Sequence, residues 1–271
     1  MSGSQPPPAP GIRPVQVQLT VGGRQLNLRI DAPTGPVPPA ALLPLYRGLA
    51  EKLTAVAVEE AARAGDCVTC RRGCGACCRQ VVAISALEAR ELMKTVERLP
   101  EPLRTRVRDR FAAARLRLQN EAPDLVPKLL NPQDFDQMDE AARDDLARRY
   151  FRLQIACPLL EDEACVAYDE RPITCRQYVA VSPPEHCSTL SPQLRTIVPS
   201  GGAAHAWAPV SERSAATGRA VEFLALVMAP DFVAAHPDEP PARPGVELLN
   251  EFFQRMQTRG SWGKPAGEKR G

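Results

Sequence analysis

The chain has 271 residues, of which 44% are hydrophobic and 24% charged, so it is long enough to bury an apolar core. Its 34 Lys and Arg against 32 Asp and Glu leave a formal net charge of +2, which excludes a global field that recruits nucleic acid or an anionic membrane. The sequence has no signal-peptide pattern and no apolar run long enough to span a bilayer. We therefore expect a cytoplasmic protein without a membrane partner, in a compartment that keeps thiols reduced.

The N-terminal part of the chain predicts a β-hairpin and then a helix. Residues 13–30 alternate apolar and polar side chains on either side of Gly22 and Gly23, whose freedom at positive φ suits a tight turn. After a proline-rich stretch, residues 40–65 predict a helix that ends at Gly65. This helix leads directly into the first cysteines.

The middle of the chain predicts a short strand and three helices. Residues 81–85 are a strand candidate, and Ser85 with Glu88 has the spacing of a capping box that opens a helix to about residue 98. A second helix over about 101–120 buries apolar side chains at helical spacing, namely Leu103, Val107, Phe111 and Leu118. A third helix is predicted over about 138–154.

The second of these helices carries a row of arginines, namely Arg104, Arg106, Arg108, Arg110, Arg115 and Arg117. No aromatic side chains alternate with them to stack on bases, so we interpret the row as a solvated face and do not expect a nucleic-acid partner.

Two helices over 211–229 and 245–257 complete the chain before a polar tail that we expect to be disordered. The predicted fold class is mainly α with a small N-terminal β-hairpin, forming a loop-rich cysteine-cluster domain stapled by metal. The predicted boundaries are 1–36 for the proline-rich segment and hairpin, 37–199 for the cysteine-cluster domain, 200–258 for a C-terminal helical segment and 259–271 for the tail.

The nine cysteines fall into two groups. The first lies in and around "TCRRGCGACCRQ", where Gly73 and Gly75 would let the backbone approach a metal closely. The second is spread over "CPLLEDEACVAYDERPITCRQYVAVSPPEHC". There, Arg171-Pro172 predicts a helix start with proline at the first helical position, which puts Cys175 about one turn into the helix.

The number of thiols does not decide between one metal centre and two. Apart from Cys67, eight cysteines remain, which suits two four-ligand sites, or one four-ligand cluster with spare thiols. The side chains of adjacent Cys77 and Cys78 diverge in regular structure, which suggests that they serve different sites or bridge two ions. We interpret Cys67 as a free or substitute thiol and His186 as a surface group rather than a ligand.

Several charged and aromatic residues flank these cysteines. Five arginines stand within four residues of a cysteine and could offset thiolate charge, namely Arg71, Arg72, Arg79, Arg171 and Arg176. Asp169 and Glu170 are expected to cap the helix or to pair with Arg171. Tyr168 and Tyr178 are interpreted as packing residues.

The pairing of "C-x3-C-G-A-C-C" with a later "C-P-L-L-x4-C-x2-Y-D-E-R-P-x2-C-R-x-Y" resembles the YkgJ-type cysteine-cluster family, described as a zinc- or iron-chelating domain, over roughly residues 70–190. The resemblance implies that metal is bound by Cys70, Cys74, Cys77, Cys78, Cys157, Cys165, Cys175 and Cys187. It supplies no cellular role. Flagellin lysine methylases, which look related, carry an iron–sulfur cluster on similar cysteines and use S-adenosylmethionine.

Three functional hypotheses follow. The first is a metal-binding protein, with zinc or an iron–sulfur cluster, whose function is the site itself. The second is an iron–sulfur enzyme that modifies proteins, and the third is a zinc-stabilised module that binds a protein partner. All-sulfur ligation suits both metals, and Cys157-Pro158 favours iron–sulfur slightly because ferredoxin motifs close with Cys-Pro. The sequence leaves open whether the chain is an enzyme.

Overall fold

The computed structural model describes residues 11–21, 24–130, 138–197 and 223–259. The predicted class, mainly α with small strand pairs, is confirmed. The helices in the described residues are α1 (Leu43–Arg63), α2 (Ala86–Glu97), α3 (Leu103–Glu121), α4 (Leu125–Leu130), α5 (Glu140–Arg152), α6 (Ile173–Gln177), α7 (Pro184–Thr189), α8 (Ala229–Ala235) and α9 (Gly245–Arg259).

The strands form five antiparallel pairs among the described residues. Two long strands form the N-terminal hairpin, β1 (Ile12–Val21) and β2 (Arg24–Pro33), and Val21 faces Arg24 across the two glycines. The short strands are β3 (Pro36–Val37), β4 (Ala83–Ile84), β5 (Leu160–Glu161), β6 (Ala164–Cys165), β7 (Val179–Ala180), β8 (Thr196–Ile197), β9 (Leu224–Ala225) and β10 (Arg243–Pro244). The hairpin prediction is therefore confirmed.

One apolar core joins the hairpin to the first and last helices. The inner face of the hairpin, including Leu19 and Ile30, packs in one buried cluster with α1 and α9. Tyr46 of α1 stacks on Phe252 of α9 with ring centroids 4.4 Å apart. The pairing of β3 with β10 ties the same two ends of the chain together.

A second apolar core contains the middle helices. Side chains of α2, α3, α4, α5 and α8 form one buried cluster, in which Val107, Phe111 and Leu118 lie on the inner face of α3. Partly buried Cys157 and Cys165 pack against this core, while Ile173, two residues before Cys175, belongs to the first core. The cysteine segment therefore lies between two apolar bodies.

Two local expectations differ from the structure. The helix predicted over 211–229 falls largely outside the described residues, and its described end is strand β9 followed by a 3-10 turn over 226–228, because 224–225 pair with β4. Pro172 is the cap of α6 rather than its first helical residue, since its ψ of 155° is extended. Residues 260–271, which make up all but the first residue of the predicted tail, lie outside the described residues.

The arginine row on α3 is paired with carboxylates at every position. Arg106 and Arg110 both contact Glu161 of β5, and Arg115 contacts Asp231 of α8 at 2.7 Å. The remaining pairs are Arg104 with Glu101, Arg108 with Glu97, and Arg117 with Glu121. These pairs leave the row without an uncompensated positive stripe, and they attach the second core to the strand pair that carries Cys165.

No helix in the described ranges combines the length and the apolar character that crossing a bilayer requires.

The capping box of α2 is confirmed and it is buried. Ser85 Oγ accepts the Glu88 N–H at 3.1 Å, and a Glu88 carboxylate oxygen accepts the Ser85 N–H at 3.3 Å. The other carboxylate oxygen accepts the Ile173 N–H of α6 at 2.7 Å. One helix cap thus also anchors the helix that carries Cys175.

We expect Ser85→Ala to lower the free energy of unfolding by about 1–2 kcal/mol, because a buried amide loses its acceptor. Asp139→Ala is the matched control, since Asp139 caps α5 through an exposed hydrogen bond from the Ala142 N–H. It is expected to cost about 0.5–1 kcal/mol. Urea denaturation measures both, and equal losses would contradict the claim that burial strengthens the Ser85 cap.

Candidate metal centre

The first cysteine group lies on three successive tight turns. The carbonyl of Arg71 accepts the Cys74 N–H at 3.2 Å, that of Gly75 accepts the Cys78 N–H at 2.9 Å, and that of Cys77 accepts the Gln80 N–H at 3.0 Å. Gly73 has a φ of +83°, which a side chain would strain. These turns curl the loop so that four cysteines lie on one short stretch of backbone.

Glycine is needed at position 75 because the backbone there lies close to the backbone of Glu163. The close approach that the structure shows is therefore to protein, and not to a metal as the sequence suggested. A Cβ placed on Gly75 would lie 2.7 Å from the Glu163 carbonyl oxygen and 2.8 Å from Leu160 Cδ1. The adjacent Arg79 pairs with Glu163 through both guanidinium nitrogens, at 3.0 and 2.6 Å. Gly75 and Arg79 therefore dock the first loop onto the β5–β6 turn.

The second cysteine group comes from four different elements. Cys157 follows α5, and Cys165 lies in β6 opposite Leu160. Cys175 is in α6 and buried Cys187 is in α7. Because these elements are short, their positions depend on what they pack against rather than on their own hydrogen bonds.

Hydrogen bonds join the two groups directly. The Cys157 N–H donates to the Cys78 carbonyl at 2.6 Å, and Gln80 Nε2 donates to the Cys187 carbonyl at 3.0 Å. At the start of the loop, the Thr69 N–H donates to the Ala180 carbonyl at 3.0 Å. The first loop is thus held on three sides by the second segment.

The eight cysteines form one electrostatic neighbourhood, and all nine cysteines of the chain are free thiols. Burial, together with negative charge on neighbouring thiols that include Cys77, raises the pKa of Cys157 to about 12 and that of Cys187 to about 11. Burial first, and then charge on Cys77 among other neighbours, likewise raises the pKa of Cys70, Cys165 and Cys175. Cys77 therefore lies within electrostatic reach of Cys70, Cys157, Cys165, Cys175 and Cys187.

The remaining seven thiols fall into two sets according to which thiols alter each other's pKa. Negative charge on Cys70 and Cys74 raises the pKa of Cys187, and charge on Cys74 raises that of Cys70. In the second set, negative charge on Cys157 and Cys175 raises the pKa of Cys78, and charge on Cys165 raises the pKa of both Cys157 and Cys175. The first set is Cys70, Cys74 and Cys187, and the second is Cys78, Cys157, Cys165 and Cys175.

The structure brings the thiols of adjacent Cys77 and Cys78 close enough to influence each other. Interaction with Cys78 lowers the pKa of Cys77, whereas interaction with Cys77 raises the pKa of Cys78. The divergence rule holds for regular helices and strands, but residues 76–79 form a turn. Neighbouring side chains in a turn can lie side by side.

Backbone amides donate to several of the sulfurs. The Ala180 N–H donates to Cys70 Sγ at 3.1 Å. Amide hydrogen bonds also lower the pKa of Cys157, from Leu159, and of Cys165, from Ala167, although burial outweighs both. Such bonds favour the thiolate form, which is the form that binds metal.

Among the flanking arginines whose charge acts on the cysteines, Arg171 is the one that has no carboxylate partner in the described residues. Arg72 pairs with Asp169 at 2.8 Å, Arg79 with Glu163 and Arg176 with Glu51. Within the described residues the Arg171 guanidinium has no ion-pair partner, and it lies over the Tyr168 ring at 3.9 Å. At Cys77, Cys70 and Cys165, hydrogen bonding or burial has the largest effect on the pKa. The charge of Arg171 has a smaller effect, and it lowers the pKa of all three thiols.

The expected pairing of Asp169 and Glu170 with Arg171 is therefore wrong. Asp169 is taken by Arg72 and Glu170 by Arg47, because the 3-10 turn over Tyr168–Glu170 directs both carboxylates away from Arg171. Tyr168 acts as the packing residue that was expected, since Arg72 and Arg171 both lie over its ring.

Sequence reasoning missed two residues that support the cysteine segment, and it missed a second role of Glu88. Arg47 and Glu51 of α1 pair with Glu170 and Arg176 across more than a hundred residues of chain. Their spacing of four places them on one helix face, which is the only local signal they give. Glu88 is buried beside Cys175, and burial raises its pKa to about 7.

The thiols are neighbours without yet forming a coordination shell. Among the residues that the structure describes, no three or more His, Cys, Asp or Glu side chains converge closely enough to hold a metal ion. Cys67 is exposed, in keeping with the interpretation of a free thiol. Comparison of the chain with models of protein families, with curated proteins and with solved structures gave no match.

We expect Gly75→Ala to lower the free energy of unfolding by about 1–3 kcal/mol, since the new methyl group would overlap the Glu163 backbone. Gly48→Ala is the control, because nothing lies within 4 Å of a Cβ at Gly48 in the middle of α1. That change is expected to raise stability by about 0.5–1 kcal/mol. Thermal and urea unfolding measure both, and a neutral Gly75→Ala would refute the tight docking of the loop.

Proposed function

We propose that this protein binds metal through its clustered thiolates, as zinc or as an iron–sulfur centre, and that this site is its function. The observation that carries the proposal is the gathering of eight thiols from two distant parts of the sequence around Cys77. Soft, all-sulfur donor sets are the ones that zinc and iron–sulfur clusters use in proteins.

The chemistry of the donor set supports the proposal. Five of the thiols have a pKa that burial raises, so in the absence of a cation each stays protonated and gains little from its neighbours. A bound metal ion would replace these protons and compensate the charge. The Ala180 amide at Cys70 Sγ and the Arg171 guanidinium would then stabilise the thiolates from outside the coordination shell.

The two sets of thiols suggest how the ligands would divide. Cys78, Cys157, Cys165 and Cys175 make up one complete set of four, and Cys70, Cys74 and Cys187 make up a set of three that Cys77 completes. Because the thiols are not yet at a common point, binding requires side-chain rotation toward each ion. The turns at 71–80 and the short elements of the second segment leave room for such rotation.

We also propose that the protein works in the cytoplasm, where thiols are kept reduced and can bind metal.

Anaerobic purification followed by metal analysis and an absorbance spectrum tests the proposal. We expect either colourless protein with about two zinc ions per chain, or brown protein with broad absorption at roughly 400 nm and bound iron. Protein that carries neither metal after purification and fails to take up either one when the thiols are reduced would refute the proposal.

Single cysteine variants test the division into two sets. We expect Cys175→Ser and Cys187→Ser each to remove about half of the bound metal and to lower the melting temperature, because each breaks one set. Cys77→Ser is expected to remove the metal of the set of three and also to alter the site of Cys175, because charge on Cys77 acts on Cys157, Cys165 and Cys175 as well. Cys67→Ser is the matched control, since its thiol is exposed, and a loss of metal from it equal to that from Cys175→Ser would contradict the assignment.

A further inference from the structure

A cavity lies on the side of the cysteine segment that faces α1. Its volume is about 360 Å³, in the range of small-molecule pockets, and its lining consists of Pro44, Arg47, Gly48 and Glu51 from α1 and of Tyr168, Asp169, Glu170, Arg171 and Arg176 from the cysteine segment. We call it the arginine cavity. Arg171 belongs both to this cavity and to the surroundings of Cys77.

The lining of the arginine cavity has three arginines and three carboxylates, but Arg72, which lies outside the lining, pairs with one of these carboxylates and leaves one arginine without an ion pair. Arg47 pairs with Glu170, Arg176 with Glu51, and neighbouring Arg72 with Asp169. After these three pairs, Arg171 is the remaining cation of the lining, and none of the described carboxylates forms an ion pair with it. The buried Glu88 carboxylate lies nearer Arg47 and Arg176 and is already held by the Ser85 and Ile173 amides.

The guanidinium groups also have donors to spare. Nε of Arg47 and Nε of Arg171 are buried and make no hydrogen bond. An unsatisfied buried N–H is costly, so an oxygen ligand that lets these side chains turn would recover free energy on binding. The Arg176 side chain is only 7% exposed and that of Arg47 is 11% exposed, whereas Glu51 and Glu170 are about half exposed. The two carboxylates are therefore more accessible to solvent than the two arginines, so a ligand can take the place of a carboxylate at the guanidinium.

Gly48 keeps the cavity open. It lies in the interior of α1, where glycine weakens a helix relative to alanine, and nothing lies within 4 Å of a Cβ built on it. Neither close packing nor a positive φ requires glycine at this position. What its missing side chain does provide is empty space in the cavity wall.

From these observations we propose that the arginine cavity binds a small organic carboxylate, held by Arg171 and Arg47 beside the cysteine cluster. A carboxylate matches the planar fork of a guanidinium and can exchange with the half-exposed Glu170. A phosphate dianion would concentrate two negative charges on one small group next to Glu51, Asp169 and Glu170, whereas the charges of a di- or tricarboxylate lie on separate groups. The binding does not require metal, so it can succeed or fail independently of the proposed metal centre.

Calorimetric titration of the full chain, with its metal content measured on the same sample, tests this inference. Acetate, succinate and citrate are the probes, and we expect at least one to bind saturably with one molecule per chain. Succinamide, which has the shape of succinate without the charge, is expected not to bind, and inorganic phosphate is expected to bind more weakly than the best carboxylate. No saturable binding by any of the three acids, or tighter binding of phosphate or succinamide, would overturn the proposal.

Variants locate the site. Gly48→Leu fills the cavity from a helix position that tolerates a side chain, so we expect an unchanged or higher melting temperature and at least tenfold weaker binding. Arg47→Gln is expected to weaken binding about tenfold or more, because a charge-assisted hydrogen bond is lost. Arg63→Gln, on the exposed end of the same helix, is the matched control and is expected to leave affinity unchanged. A folded Gly48→Leu protein that binds as tightly as the unchanged chain would refute the location.

Discussion

The structure depends on the docking of the first cysteine loop onto the second cysteine segment. The bond from the Cys157 N–H to the Cys78 carbonyl, at 2.6 Å, and the close approach of Gly75 to the Glu163 backbone hold the two segments together. Neither segment has enough regular structure to hold its own shape, since its strands are two residues long and its helices five or six. Each segment therefore takes its shape from the other.

The two apolar cores explain why this docking is stable without long elements. The hairpin, α1 and α9 form one core, and the helices from α2 to α5 with α8 form the other. Ile173 is buried in the first core, and Cys157 and Cys165 pack against the second, so the cysteine segment is anchored on both sides. Burial on both sides also raises the pKa of the thiols, which links the packing of the fold to the chemistry of the proposed site.

Among the arginines whose charge acts on the cysteines, Arg171 forms no ion pair with a carboxylate of the described residues. Carboxylates neutralise Arg72, Arg79 and Arg176, and the six arginines of α3 are paired as well. Arg171 instead lies over Tyr168, with its charge acting on Cys70, Cys77 and Cys165 and its side chain lining the arginine cavity. In our proposals the same residue stabilises the thiolates and binds a carboxylate, so the occupancy of one site would influence the other.

The sequence by itself determined the features whose cause is local. The alternation on either side of Gly22 and Gly23, the Ser85 and Glu88 spacing and the helical period of α3 each describe neighbours along the chain, and all three are confirmed. Only the tertiary structure decided which thiols neighbour one another, that Cys77 and Cys78 lie close enough in a turn to influence each other, and that Asp169 pairs with Arg72 rather than Arg171. These outcomes depend on side chains such as Arg47 and Glu51, which are more than a hundred residues from their partners along the chain. Such contacts form only when the two cores pack together, so residue spacing in the sequence does not reveal them.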